Sequence, residues 1–204
     1  MEHKVENSVE GLTIRTLKGD QIHPFIDNLA ELRITVFKEY PYLYEGNFDY
    51  ERGYLKTYTA CDEAILVLVQ EDSHIVGAST AIPLEFETQE CQKSFKDNHF
   101  QLRDVFYFGE SVLLPSYRNK GVYKHFFQAR ERAAIDYGCK MVAFCGVERD
   151  ANDVRRPPNF VPLDKVWRHF GYKKHPTLCA YYEWLEINQE QSTTKTMKFW
   201  TKNL

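Results

Sequence analysis

Val105-Phe106-Tyr107-Phe108-Gly109-Glu110-Ser111-Val112-Leu113-Leu114, followed by Pro115-Ser116-Tyr117-Arg118-Asn119-Lys120-Gly121 and then Val122-Tyr123, decides how this chain folds. A strand with one wet face alternates apolar and polar residues, whereas Val105 to Leu114 is almost continuously apolar, as expected of a central strand buried on both faces. Ser116 to Gly121 is a loop. Beyond it Val122, Phe126, Ala129, Ala133 and Tyr137 recur at helical spacing, and Gly138 supplies a stop. Met141 to Val147 is again apolar, so strand, crossover helix and strand make a βαβ unit with parallel strands and a right-handed crossover.

Outward from this unit the chain keeps alternating strand-like and helix-like stretches, without internal repeats or low-complexity linkers. After an irregular start, Leu12 to Leu17 reads as a strand, Ile22 to Tyr40 as a helix stopped by Pro41, and Asp49 to Tyr58 as a second helix. Ala64 to Val69 and His74 to Leu84 flank the turn residues Gln70-Glu71-Asp72-Ser73, an antiparallel hairpin pattern. Thr88 to Phe100 suits a short surface helix, and the polar stretch from Glu148 to Pro162 a loop. Leu163 to Phe170 makes a short helix ended by Gly171, and Leu178 to Ile187 the last strand. The predicted architecture is α/β (α+β), a single unit over 1–204 with its core at about 12–187. The remaining 188–204 is a polar tail, whose Met197, Phe199 and Trp200 either cap the domain or meet a second subunit. Monomer and homodimer both stay open.

Composition narrows the function. In 204 residues, 26 Lys and Arg against 29 Asp and Glu give a net charge of −3, which argues against a nucleic-acid partner. The first eleven residues carry charges and no apolar core of a signal, and no run approaches the ~20 apolar residues of a membrane span. A cytoplasmic protein with no membrane partner is expected. Cys61, Cys91, Cys139, Cys145 and Cys179 are odd in number and scattered, as reduced thiols are. Cys145 reads as a buried, inert one. The seven His show no ligand spacing, so no metal is expected.

The loop before the helix is the chemical feature. A Gly ahead of a helix lets the backbone turn so that free N–H groups converge on an anion, and Arg118 and Lys120 add charge at the same place. Such a loop suits a pyrophosphate, or is simply a basic turn. It is neither GxxxxGK[ST] nor GxGxxG, so nucleotide hydrolysis and dinucleotide binding lack their marker. The run Val112 to Tyr123 resembles the acetyl-CoA motif of the GNAT superfamily of N-acetyltransferases, with Arg118 and Gly121 matching and Tyr123 departing from its final small residue. Trp167-Arg168-His169-Phe170-Gly171-Tyr172 is similar to the segment after that superfamily's fifth strand. The resemblance spans about residues 12 to 187.

What it implies is a three-layer sandwich around a mixed twisted sheet of six to seven strands, with acetyl-CoA as co-substrate. Ser111, Val112 and Leu113 would pair with the pantetheine, the amides of Arg118, Asn119, Lys120, Gly121, Val122 and Tyr123 would hold the pyrophosphate, and Asn152 would reach the CoA arm. The implied reaction is direct attack by a primary amine of a small molecule or peptide in a ternary complex. The alternative is a catalytically silent acyl-CoA-binding or regulatory domain.

Glu110 is the one carboxylate in its strand. An unpaired charge there costs several kcal/mol. It is therefore either a base with a raised pKa or a structural carboxylate tied to backbone or to an Arg. The superfamily's base position falls nearer Tyr107, and Gly109 can mark a bulge that re-aims the side chains after it. Tyr107 and Ser111 are the further catalytic candidates. The superfamily's acid, a Tyr, is here Trp167, which has no proton of that kind to give; Tyr123, Tyr181 and Tyr182 are the substitutes considered. Aromatic residues are 15% of the chain. Phe106, Phe108, Phe126, Phe144 and Tyr137 belong to the βαβ core. Tyr40, Tyr44 and their neighbours up to Tyr50, with Trp167 and Tyr181, are either acceptor-site rings or loop anchors. Arg149, Arg155 and Arg156 either hold an acceptor anion or lie in a solvated loop.

Overall fold

In the computed structural model, which describes residues 7–9 and 11–204, one sheet of eight strands is covered on both faces by helices. The strands are β1 Asn7–Val9, β2 Leu12–Lys18, β3 Ile65–Glu71, β4 His74–Pro83, β5 Val105–Leu113, β6 Met141–Val147, β7 Lys173–Trp184 and β8 Thr193–Asn203, in the order β1-β2-β3-β4-β5-β6-β8-β7. The helices are α1 Ile26–Phe37, α2 Phe48–Thr59, α3 Gln89–Asp97, α4 Val122–Tyr137 and α5 Asp164–His169. The expected three layers are present, with α1, α2 and α3 packed through Leu29, Leu55, Tyr58 and Phe95 on one face. On the other, α4 and α5 pack through Phe126, Phe127 and Trp167. Most of the irregular start lies outside the described residues.

The sheet has one or two strands more than the six to seven expected. β1 is short. β8 is the larger correction: the tail, read as lying beyond the core, enters the sheet between β6 and β7, pairing with Met141 to Val147 on one side and with β7 on the other. Its alternation places Phe199 and Met197 in the α1–α3 layer and Trp200 in the α4–α5 layer, all buried. Polar residues between them hid this pattern. β7 likewise starts at Lys173, five residues before the expected strand, and is not the last. The first helix is shorter than its pattern, because Gly19–Phe25, with Pro24 inside, forms a 3-10 turn.

Two features of β5 position the side chains of the middle of the sheet. Val105, Phe106 and Tyr107 pair in parallel with Met141, Val142 and Ala143, and beyond Tyr107 the pairing ends although both strands continue. The sheet is thus split over residues 108–113 and 144–147. On its other edge β5 carries a bulge against β4: Ser79 faces Ser111 and Ala81 faces Phe108, so Gly109 and Glu110 together oppose Thr80. The extra residue inverts the alternation. Val105 and Tyr107 face α1–α3, and after the bulge so do Glu110 and Val112, which a regular strand would turn to α4. Gly109 lies in the bulge, and the reason for glycine there is steric. A Cβ there would lie 2.1 Å from the Tyr58 hydroxyl and 2.4 Å from Thr80 Oγ1.

Candidate active site

Glu110 is 3% exposed and does not stand alone. Its Oε2 pairs with Arg33 Nη1 at 2.5 Å, and its Oε1 accepts from Thr80 Oγ1 at 2.8 Å. Arg33 Nε in turn binds Glu51, a fully buried carboxylate on α2. The guanidinium lies 4.7 Å from the Tyr54 ring centroid and 5.1 Å from that of Phe37. Of the two sequence readings, a free base and a carboxylate tied to an Arg, the structure shows the second arrangement. Both partners carried a signal that composition alone conceals. Arg33 lies four residues after Leu29 and four before Phe37, and Glu51 four before Leu55, so each charge interrupts the buried stripe of its helix, and the two signs are opposite.

Beside this pair lies a second carboxylate that the sequence reading missed. Glu87, buried after β4, accepts from the hydroxyls of Tyr54 at 3.3 Å and Tyr58 at 3.1 Å, and from the Thr88 amide. No cation pairs with it among the described residues, and burial holds its carboxyl above the ordinary carboxylate value. Glu87 sits in a polar loop, where nothing in the sequence distinguishes it. Across the split, Tyr107 Oη is 3.2 Å from Cys145 Sγ. Burial raises Tyr107 and Tyr182 far above the ordinary phenol value and pushes Cys145 up to about 12, so all three keep their protons.

The remaining candidates divide by face. Tyr44 forms a bridge to Glu186, and burial together with the nearby Glu51 charge raises its phenol, so it borders the α1–α2 cluster. Tyr40 stacks edge-on with Phe160 at 4.7 Å and joins the two loops at the rim. Tyr42 and Pro41 present carbonyls to Arg149, which also pairs with Glu186, as does Arg155; these arginines clamp loops together. Three candidates lie elsewhere. Ser111, turned the other way by alternation, bonds Ser79 at 3.1 Å. Tyr181 is 60% exposed because odd and even positions of β7 face opposite ways, and its neighbour Tyr182 is the inward ring. Trp167 packs on Phe144 and Trp200, both at 5.1 Å, and lies over Gly146 in the α4–α5 layer, away from Tyr40 and Tyr44.

The anion loop has the form expected of it. Asn119 and Gly121 both take positive φ, 64° and 81°, turning the chain tightly into α4. Among the described residues the amides of Asn119, Lys120 and Gly121 donate to no acceptor, and those of Val122 and Tyr123 open the helix, where no intrahelical partner exists. Lys120 lies over the Tyr117 ring, and Tyr123 packs on Phe126 and Phe127 rather than over the loop. Arg118 instead forms a two-bond pair with Glu39 at 2.8 and 3.2 Å and caps the Leu113 carbonyl. Val112 and Leu113 end β5 beside this loop, and Asn152 is exposed in a turn of the 148–162 loop, its amide bonded to Asp150. A split parallel pair leading to a turn of free amides fits an extended arm joined to a diphosphate, as the pantetheine arm of acetyl-CoA is.

Comparison with known proteins agrees with this geometry. The sequence model described as the acetyltransferase (GNAT) family matches residues 29–157. The fold is similar to that of the yncA protein of Salmonella typhimurium, solved with its cofactor acetyl-CoA, at 9% identity and a TM-score of 0.58 over 96% of this chain and 95% of that one. It is similar also to a ribosomal-protein-alanine N-acetyltransferase from Brucella melitensis, at 10% identity and 0.57 over 93% and 99%. An N-acetyltransferase from Staphylococcus aureus matches at 14% identity and 0.55 over 94% and 98%. No curated protein matches the sequence. No helix among the described residues is long and apolar enough to cross a membrane.

Proposed function

The chain belongs to the acetyltransferase (GNAT) family, and from that premise we propose that it moves an acetyl group from acetyl-CoA to a primary amine by direct attack in a ternary complex. The observation that carries this reading is the split between β5 and β6 with the free amides of the 119–123 loop at its mouth. Val112 and Leu113 would pair with the pantetheine, and the loop amides with Lys120 would hold the diphosphate. Arg118 would join them by leaving Glu39. Bound there, acetyl-CoA supplies an activated thioester, so no covalent intermediate on the protein is required.

The acceptor side supports an amine. Two buried carboxylates, Glu51 and Glu110, share one guanidinium and Glu87 lies beside them without a cation, a surplus of carboxyl groups that favours a cationic acceptor. In this reading Glu110, held by Arg33 and Thr80, orients the ammonium. Tyr107 and Tyr182, kept protonated by burial, are the donors available to the leaving sulfur in place of Trp167.

Isothermal titration with acetyl-CoA, followed by thiol release measured across amines, polyamines, amino acids and peptides, tests the proposal. Binding together with amine-dependent thiol release is the expected outcome. Binding without release from any amine would leave the silent acyl-CoA-binding reading, and absence of binding would remove the site. Gly121→Ala should weaken acetyl-CoA binding, because a non-glycine residue at φ 81° costs about 1–2 kcal/mol.

A further inference from the structure

We propose, on the basis of the transferase reading, that Glu87 is the group that takes up the proton released by the acceptor amine, and that the proton reaches it through the Tyr54 hydroxyl. Attack on the thioester requires a neutral nitrogen, so one proton must leave the ammonium first. Glu110 is poorly suited to collect it, since Oε2 is occupied by Arg33 and Oε1 by Thr80. Glu87 lies one hydroxyl away. Its Oε1 is the shared acceptor of Tyr54 and Tyr58, whose own oxygens are 3.2 Å apart.

The two tyrosines differ in what they can reach. Tyr58 is fully buried and pressed against Gly109 in the bulge, whereas Tyr54 is half-buried as a residue, with its hydroxyl enclosed and its ring against the guanidinium that carries Glu110. Tyr54 is therefore the outer end of the pair. In the step proposed, the ammonium N–H bond breaks with its electrons left on nitrogen, and the proton bonds to Tyr54 Oη. As it does so, the former hydroxyl proton of Tyr54 bonds to Glu87 Oε1. Charge is conserved: the ammonium becomes a neutral amine and the Glu87 carboxylate a neutral acid.

The surroundings of Glu87 suit a group that gains and loses a proton. Tyr54 and Tyr58 on α2 bond it directly, and Glu110 of β5, Cys91 of α3, Cys145 of β6 and Tyr182 of β7 are the further titratable groups within electrostatic reach. The cation of this cluster, Arg33 on α1, is paired with Glu51 and Glu110 and not with Glu87. Nearby carboxylate and low polarity both favour the protonated acid, which gives the group a reason to accept a proton that a salt-bridged carboxylate lacks.

The test measures thiol release against pH for wild type, Glu87→Gln and Tyr54→Phe, with the best acceptor found and with its fluorinated analogue, whose weakly basic amine is already neutral near pH 7. Both variants should lower kcat about a hundredfold with the ordinary amine near neutrality. The deficit should shrink as pH rises and vanish with the fluorinated analogue, while acetyl-CoA affinity stays at the wild-type value. A merely structural role would slow both acceptors alike, and that result overturns the proposal. Wild-type kinetics in Tyr54→Phe overturn the route through Tyr54. Wild-type pH dependence in Glu87→Gln overturns the role of Glu87 while leaving the transferase reading intact, whereas a wild type that acetylates no amine overturns both.

Discussion

Adding a single methyl group to Gly109 tests the packing that aims Glu110. The new Cβ would lie 2.1 Å from the Tyr58 hydroxyl, 3.1 Å from its Cζ and 2.4 Å from Thr80 Oγ1, and Tyr58, fully buried, has no open space to swing into. Overpacking of this kind costs about 1–3 kcal/mol. Tyr58 also cannot shift without stretching its bond to Glu87, and an unsatisfied buried polar group costs about 1–3 kcal/mol more. A combined loss near 4 kcal/mol is expected for Gly109→Ala, and at about 2–4 °C per kcal/mol for a chain of this size, Tm should fall by about 8–16 °C. Differential scanning calorimetry measures it. Part of the clash is with one oxygen, so in a Tyr58→Phe background the alanine should cost less, with a coupling of about 1–2 kcal/mol across the double-mutant cycle. A fall below about 2 °C for the single variant, or additive effects in the cycle, would refute the account of the bulge.

Other perturbations probe the neighbouring parts. Arg33→Met leaves Glu51 and Glu110 buried without their cation and should cost about 3–5 kcal/mol in urea unfolding; adding Glu51→Gln and Glu110→Gln should recover most of it. Trp200→Ala should cost about 3–5 kcal/mol, since the ring is fully buried against Trp167; a loss below about 1 kcal/mol would mean β8 is not an integral strand. For Glu87 the folded pKa lies above the unfolded one. Its neutral form therefore stabilises fully below the unfolded carboxyl value, and that contribution is lost as pH rises through the folded value. Wild type should accordingly lose stability relative to Glu87→Gln as pH is raised from about 4 toward neutrality, and a constant difference across that range would contradict the burial of an unpaired acid.

Residues 105–147 are legible in the sequence for a local reason. An apolar run, a glycine-led helix start and a second apolar run each report a conformation set by near neighbours, and the parallel pairing follows from the crossover. The 119–123 loop was visible for the same reason, because glycine and positive φ belong to the backbone itself. Tyr181 faces outward and Trp167 packs in the α4–α5 layer because each environment is a property of the sheet. In β7 a shift of one position separates the exposed Tyr181 from the inward Tyr182.

From its sequence alone this chain determined the central βαβ unit, the form of its anion loop and the presence of a carboxylate in its middle strand. Only the tertiary structure decided that β8 inserts between β6 and β7, that the bulge turns Glu110 toward α1 and α2, and that Arg33, Glu51, Tyr54 and Glu87 gather around it. The physical reason is one of range. Helix starts and strand periodicity are fixed within a few residues, whereas the partner of a buried charge is selected by whichever distant side chain can satisfy it once the layers close.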